Sequence, residues 1–219
     1  MADAGVVPMF PLGSVLLPFG VLPLHVFEPR YRALVDDVLA REDPEFGVVL
    51  IERGSEVGGG DVRFGVGTLA RVVDVEHLPD GRCALVAVGT RRIRVHEWLA
   101  DDPYPRAVVE VLEEQPAGPG DERRREAVAR ALRRVVALAA ELGARVGANE
   151  VQLAADPVRA GWEAAGLAPI GPLDALELLG LAEPAPRLDR IAALLVDAGD
   201  LLALRLGGSG EDRPGPSLG

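Results

Sequence analysis

Three histidines, one cysteine and a complete absence of lysine bound the chemistry open to this chain. Structural zinc sites draw Cys and His ligands in closely spaced pairs. His25, His77, His96 and Cys83 show no such spacing. His77 and Cys83 flank one hairpin and read as an exposed imidazole and a small core thiol. All 23 basic side chains are arginine, so the Gly-x-x-x-x-Gly-Lys-Ser/Thr loop that cradles nucleotide phosphates cannot be built. Ser14, Ser55, Ser209 and Ser217 lack a nearby base and a nucleophile elbow. Gly65-x-Gly67 lacks the third glycine and the following helix of a dinucleotide loop. Gly58-Gly59-Gly60 reads as a loop, and Asp36-Asp37 and Asp101-Asp102 as a helix face and a turn. These residues predict no catalytic group, no cofactor site and no metal site.

Binding chemistry is better represented. Arg91, Arg92 and Arg94 share a stretch with Trp98, and a sheet face of arginines is expected to pair with the surplus acids. Arg123-Arg124-Arg125 opens a helix, where positive charge opposes the helix dipole. In Glu28-Pro29-Arg30-Tyr31, Glu28 is expected to cap a helix, Pro29 to start it, and Arg30 and Tyr31 to pin it to the sheet. The same loop and helix can rim a groove for extended peptide. Phe19, Leu22 and Tyr31 lie beside it, and exposed apolar side chains next to a sheet edge suit the capture of unfolded segments. The protein-binding candidates are therefore Phe19, Leu22, Tyr31, Arg91, Arg92 and Arg94.

Short strands must carry these residues. Prolines at 8, 11, 18, 23 and 29 exclude one long helix, since an interior proline removes a donor and clashes with the preceding turn. The pattern predicts strands over 6–10, 14–17, 21–27, 46–52, 64–77, 82–89, 91–98 and 106–112. Pro29 suits a first helical turn. Tyr31, Leu34, Val35, Val38 and Leu39 follow at helical spacing. Pro79-Asp80-Gly81 marks a hairpin turn. Six or more short strands with one embedded helix point to a small barrel or folded sheet. After the Pro- and Gly-rich stretch 115–120 the period becomes helical. Helices are expected over 121–142, 149–155, 158–165, 172–181 and 187–206, and residues 207–219 read as a disordered tail.

Length and charge narrow the class. The chain has 219 residues, enough for a substantial core. A net charge of −11 disfavours nucleic acid as the main partner, because phosphate binding needs a basic surface. A single cysteine, no basic leader and no long apolar run predict a cytoplasmic protein that does not cross a membrane.

The order of motifs resembles the Lon protease N-terminal domain family, the LON substrate-binding domain. Phe10-Pro-Leu, Leu17-Pro and Leu22-Pro-Leu-His-Val-Phe-Glu-Pro-Arg-Tyr-Arg look like its opening. Gly65-Val-Gly-Thr-Leu-Ala-Arg-Val, Leu78-Pro-Asp-Gly-Arg and Gly89-Thr-Arg-Arg-Ile-Arg-Val follow in its order, as do Leu176-Glu-Leu-Leu and Arg187-Leu-Asp-Arg. The resemblance implies an α+β fold: a PUA-like β-barrel with an embedded helix (1–116), then a C-terminal α-helical bundle (117–206). It also implies recognition of protein substrates. The family's ATPase needs a P-loop lysine and its peptidase a Ser-Lys pair, so the expectation is a stand-alone, non-enzymatic member. It would bind exposed or unfolded protein segments, as an adaptor in bacterial protein quality control. RNA binding and small-ligand regulation are the alternatives that a PUA-like fold leaves open.

Overall fold

The computed structural model describes residues 5–53, 62–144 and 152–208. Six strands and five helices lie among them. The strands are β1 (Gly5–Leu12), β2 (Val21–Val26), β3 (Glu45–Arg53), β4 (Val62–His77), β5 (Cys83–Trp98) and β6 (Arg106–Leu112). The helices are α1 (Pro29–Leu39), α2 (Asp121–Glu141), α3 (Pro157–Leu167), α4 (Pro172–Gly180) and α5 (Pro184–Gly208). The glycine-rich loop at 54–60 lies outside the described residues. So does the predicted tail beyond Gly208; Gly207 and Gly208 themselves end α5. Contacts divide the chain into two compact units, one of Met1–Gln115 with Gly171–Glu183, the other of Pro116–Ile170 with Pro184–Gly219.

The first unit is built on a mixed sheet of order β2-β5-β4-β3-β1-β6, in which β5 also pairs with β6. Neighbours are antiparallel except β1 and β3, which run parallel with Met9 opposite Gly47. A side chain at Gly47 would meet the Met9 sulfur at 2.4 Å, so only glycine admits the methionine there. Alternation along β5 buries Cys83, Leu85 and Ala87. These join Phe10, Val26, Leu34, Val38 and Phe46 in one core that packs α1 on the sheet. Burying each large aliphatic side chain there contributes about 2 kcal/mol. The Phe10 and Tyr31 rings stack at 4.1 Å. The β4–β5 hairpin closes as predicted, with Gly81 at φ +79° and the Leu78 amide donating to the Arg82 carbonyl at 2.8 Å.

Four predicted elements are corrected. Ser14–Leu17 is no strand. Leu16 and Leu17 are buried, but the Leu16 carbonyl accepts the Thr68 hydroxyl at 2.6 Å and the Leu17 carbonyl accepts the Gly20 amide at 3.0 Å. The strands predicted at 82–89 and 91–98 are one strand of 16 residues. Gly89 does not break it; it makes room, because a Cβ there would lie 2.3 Å from the Leu17 carbonyl oxygen. The described part of the predicted 149–155 helix, residues 152–155, is not helical. Helix α3 starts at Pro157 instead, where the Asp156 carboxylate accepts the Arg159 amide at 3.0 Å. This is a side-chain N-cap of the ordinary kind.

In the second unit α2 packs against α5, and α3 packs against both. Val128, Leu132 and Val135 on α2, and Leu188, Ile191 and Leu195 on α5, are buried in the stripes that the spacing predicts. The buried Arg187 guanidinium lies over the Trp162 ring at 4.0 Å. Arg124–Asp189 and Arg134–Asp200 tie α2 to α5, each at 3.0 Å. Gly143 stops α2 with φ +83°.

Candidate functional site

Strand β2 is the open edge of the sheet. It pairs with β5 on one side, and no described strand pairs with the other. Its alternation is regular: Val21, Pro23 and His25 are exposed, Leu22 and Leu24 are half-buried, and Val26 is buried. Which backbone groups face outward follows from its first hydrogen bonds. The Gly89 amide donates to the Gly20 carbonyl at 2.9 Å, and the Phe19 amide donates to the Gly89 carbonyl at 2.8 Å. With Val21 opposite Val88 in register, residues 20, 22, 24 and 26 turn their backbone groups to β5. Residues 21, 23 and 25 turn theirs to the free edge. Pro23 has no amide to offer, which is the position an edge strand tolerates for proline.

Phe19 sets the entry to this edge. Gly20 bonds back to Leu17 with Pro18 between, and Phe19 stands where such turns, and the bulge that follows, normally carry glycine. Its φ is +65°, the only positive value among the described non-glycine residues. A bulky side chain there is strained and points outward. Phe19 is 44% exposed. Val21 and Phe27, at the two ends of β2, are 66% and 54% exposed. Three large apolar side chains thus mark out the strand whose outer edge no described strand pairs.

A cavity of about 90 Å³ opens beside the second half of β2. Phe10, Leu12, Leu24, Phe27 and Tyr31 line it, with His25 and Glu28. Helix α1 positions Tyr31 and Glu28. Glu28 is its N-cap residue, and its carbonyl accepts the Tyr31 and Arg32 amides at 3.1 and 3.0 Å. Glu28 thus caps the helix as expected, through its backbone; its carboxylate accepts the Arg30 Nε at 3.1 Å. The Arg30 guanidinium also lies over the Tyr31 ring at 4.4 Å.

The six predicted contact residues separate by burial. Phe19 and Leu22 lie on or beside β2. Tyr31 is buried at the cavity and forms its wall, not an exposed face. Arg91, Arg92 and Arg94 are on β5 and do not join the β2 edge. Arg91 is half-exposed and pairs with Glu45 at 2.8 Å. It lines a separate cavity of about 420 Å³ whose wall is Val7, Leu69, Val109 and Val111, with Arg41, Asp43 and Glu113. Arg94 is exposed, 3.9 Å from Glu110. Arg92 is fully buried, so it presents no surface. It pairs with Glu114 and donates to the Leu179 and Leu181 carbonyls at 2.9 and 3.1 Å. Those carbonyls end α4, where a cation offsets the helix dipole. Pairing of the β5 arginines with acids is thus as expected, though Arg92 is not on a solvated face. In the 123–125 run, Arg124 and Arg125 bond Asp189 and Glu122.

Val21 and Phe27 are absent from the predicted set. Both sit in the proline-broken opening, and their signal was available as apolar residues in an alternating strand. What the alternation could not supply is which side of the sheet is covered. His77 and Cys83 are register partners across β4 and β5. The Cys83 thiol is buried, and burial raises its pKa, with the Asp36 charge adding to the effect. Among the described residues no group of three His, Cys, Asp or Glu side chains converges for a metal, and no helix is long and apolar enough to cross a membrane.

Comparison with known proteins agrees with this fold. The Lon protease of Trichlorobacter lovleyi is 27% identical over 202 residues, covering 90% of this chain and 24% of that one. Lon protease 2 of Sorangium cellulosum is 39% identical over 115 residues, covering 51% of this chain and 14% of its own. The chain therefore spans a quarter or less of these relatives. A Lon N-terminal domain protein from Xanthomonas campestris superposes with a TM-score of 0.65 at 30% identity, over 86% of this chain and 98% of the other. The N-terminal domain of a Mycobacterium avium complex Lon protease shares the fold, with a TM-score of 0.64 at 19% identity over 88% and 99% of the two chains. Residues 6–197 match the ATP-dependent protease La (LON) substrate-binding domain, and the chain belongs to that family.

Proposed function

We propose that this protein binds exposed or unfolded protein segments at the free edge of β2, and that it does so without catalysis of its own, as an adaptor in protein quality control. The observation that carries the reading is the coincidence of an unpaired strand edge with three exposed apolar side chains, Phe19, Val21 and Phe27. A sheet edge offers backbone hydrogen bonds to any extended chain, and flanking apolar groups add affinity with little sequence demand. Family membership supports protein substrates as the class of partner. The β5–β6 pairing supports a PUA-like barrel beneath that edge. We also assign the protein to the cytoplasm, where a single reduced cysteine is the usual state.

The test is binding of a reduced, carboxymethylated model protein, followed by fluorescence anisotropy. Serine at Phe19, Val21 and Phe27 together is expected to weaken binding by at least about tenfold, the effect of losing about 1.4 kcal/mol. Unchanged binding by a folded triple variant refutes the reading. The 420 Å³ cavity beside Arg91 favours a second reading, a small-ligand regulatory module. A rise in melting temperature with a metabolite, abolished by a bulky residue at Gly5, would support it. A Cβ at Gly5 meets nothing within 4 Å, so the fold tolerates that filling.

A further inference from the structure

Resting on that reading, we propose that the β2 edge takes an antiparallel strand with a strict alternation of demands: backbone amides are required at every second residue, and a small aliphatic side chain is required at one residue between them. The hydrogen-bond parity of β2 gives the first demand. Only residues 21, 23 and 25 direct backbone groups outward. In an antiparallel ladder the incoming residues opposite them donate their amides to the Val21, Pro23 and His25 carbonyls. The residues between them point their amides away from β2, into solvent.

The cavity gives the second demand. Side chains of paired residues lie on the same face of a sheet. The incoming residue opposite Leu24 therefore projects to the face where Leu24, Phe10 and Tyr31 line the 90 Å³ space. That volume suits a branched aliphatic side chain better than an indole. The amides on either side of this residue are the ones bound by Pro23 and His25. The sole gap in the edge is the missing Pro23 amide, which leaves one incoming carbonyl to water. The net charge of −11 adds a preference for basic flanks.

The probe is a fluorophore-labelled peptide of nine residues: threonines, a central leucine and an arginine at each end. N-methylation of one backbone amide at a time removes a donor without changing the side chain. Methylation one residue either side of the leucine is expected to weaken binding about tenfold. Methylation of the leucine's own amide, or two residues away, is expected to change it less than about twofold. Tryptophan or alanine in place of the leucine lowers affinity. Pro23→Ala, which adds the missing donor, is expected to tighten binding about fivefold. No binding, a flat methylation profile or the inverse profile overturns the proposal. If the profile is flat while the unfolded protein still requires Phe19, Val21 and Phe27, only the strand geometry fails. If the unfolded protein ignores those three residues, the wider reading fails with it.

Discussion

Replacing Phe19 by glycine and by alanine separates backbone strain from side-chain burial. An L-residue in the left-handed region costs roughly 1–2 kcal/mol, and glycine is free of that cost. Phe19 is 44% exposed, so somewhat more than half of the residue is covered. For an aromatic side chain that is about 100 Å² of apolar surface, or about 2.5 kcal/mol at the usual coefficient. Phe19→Ala loses the burial and keeps the strain, so it destabilises by about 2.5 kcal/mol. Phe19→Gly loses the same burial and relieves the strain, so its cost is about 1.5 kcal/mol. Glycine should therefore be better than alanine by about 1 kcal/mol, the reverse of their order in helices and strands. Urea titrations followed by circular dichroism resolve this as a midpoint difference of about 0.5 M for a slope near 2 kcal/mol/M. Both variants are expected to bind unfolded protein more weakly than the parent. Equal midpoints, or a more stable alanine variant, would refute the claim that Phe19 is held against its backbone preference.

Other perturbations probe the frame around the edge. Arg92→Met removes a buried cation from Glu114 and two α4 carbonyls, and is expected to cost about 3 kcal/mol, read as a lowered urea midpoint. Thr68→Val keeps the shape but leaves the Leu16 carbonyl without its 2.6 Å hydrogen bond; a loss of about 1–2 kcal/mol is expected, with weaker binding at the Phe19 turn that Leu16 leads into. Tyr104 is buried, donates to Asp37 at 2.6 Å, and has its pKa raised above 10.0, by burial first and then by the Asp37 hydrogen bond. A raised pKa means that the folded state holds the proton more tightly. The contribution is fully present below the ordinary tyrosine range and is lost as pH rises through the raised value, so Tyr104→Phe should flatten the alkaline fall in melting temperature. Cys83 should react with a thiol reagent at neutral pH only as the protein unfolds, because burial both covers it and disfavours the thiolate.

Much of the frame was legible because it depends on period. Alternation placed β4, β6 and the core face of β5, and the 3–4 spacing placed α1, α2 and α5. The failures share one cause: local signals were judged without their tertiary partners. Leu16 and Leu17 look like strand residues, yet their carbonyls are spent on Thr68 and Gly20. Gly89 looks like a break, yet it is a gap into which the Leu17 backbone fits. Arg92 alternates as if solvated, and only the return of α4 shows why it is buried. At the candidate site, the proline-broken opening is the stretch that carries the β2 edge. Tyr31 proved to be wall and not surface, because Phe10, distant by 21 positions, stacks on it. That Val21 and Phe27 flank an uncovered edge depends on strand order, which no single strand encodes.

The excursion of the chain between β6 and α4 has a consequence for synthesis. The unit that carries the edge includes Gly171–Glu183, which the ribosome delivers only after all of α2 and α3. A nascent chain ending near Gln115 holds all six described strands, but its Arg92 lacks the Leu179 and Leu181 carbonyls. At roughly 5–20 residues per second, several seconds pass before those acceptors arrive. During that interval Arg92 has Glu114 but not the α4 carbonyls that offset its charge, and the β2 edge stands open. Under the proposed function, a newborn copy is thus, for a few seconds, the kind of chain that a finished copy would hold.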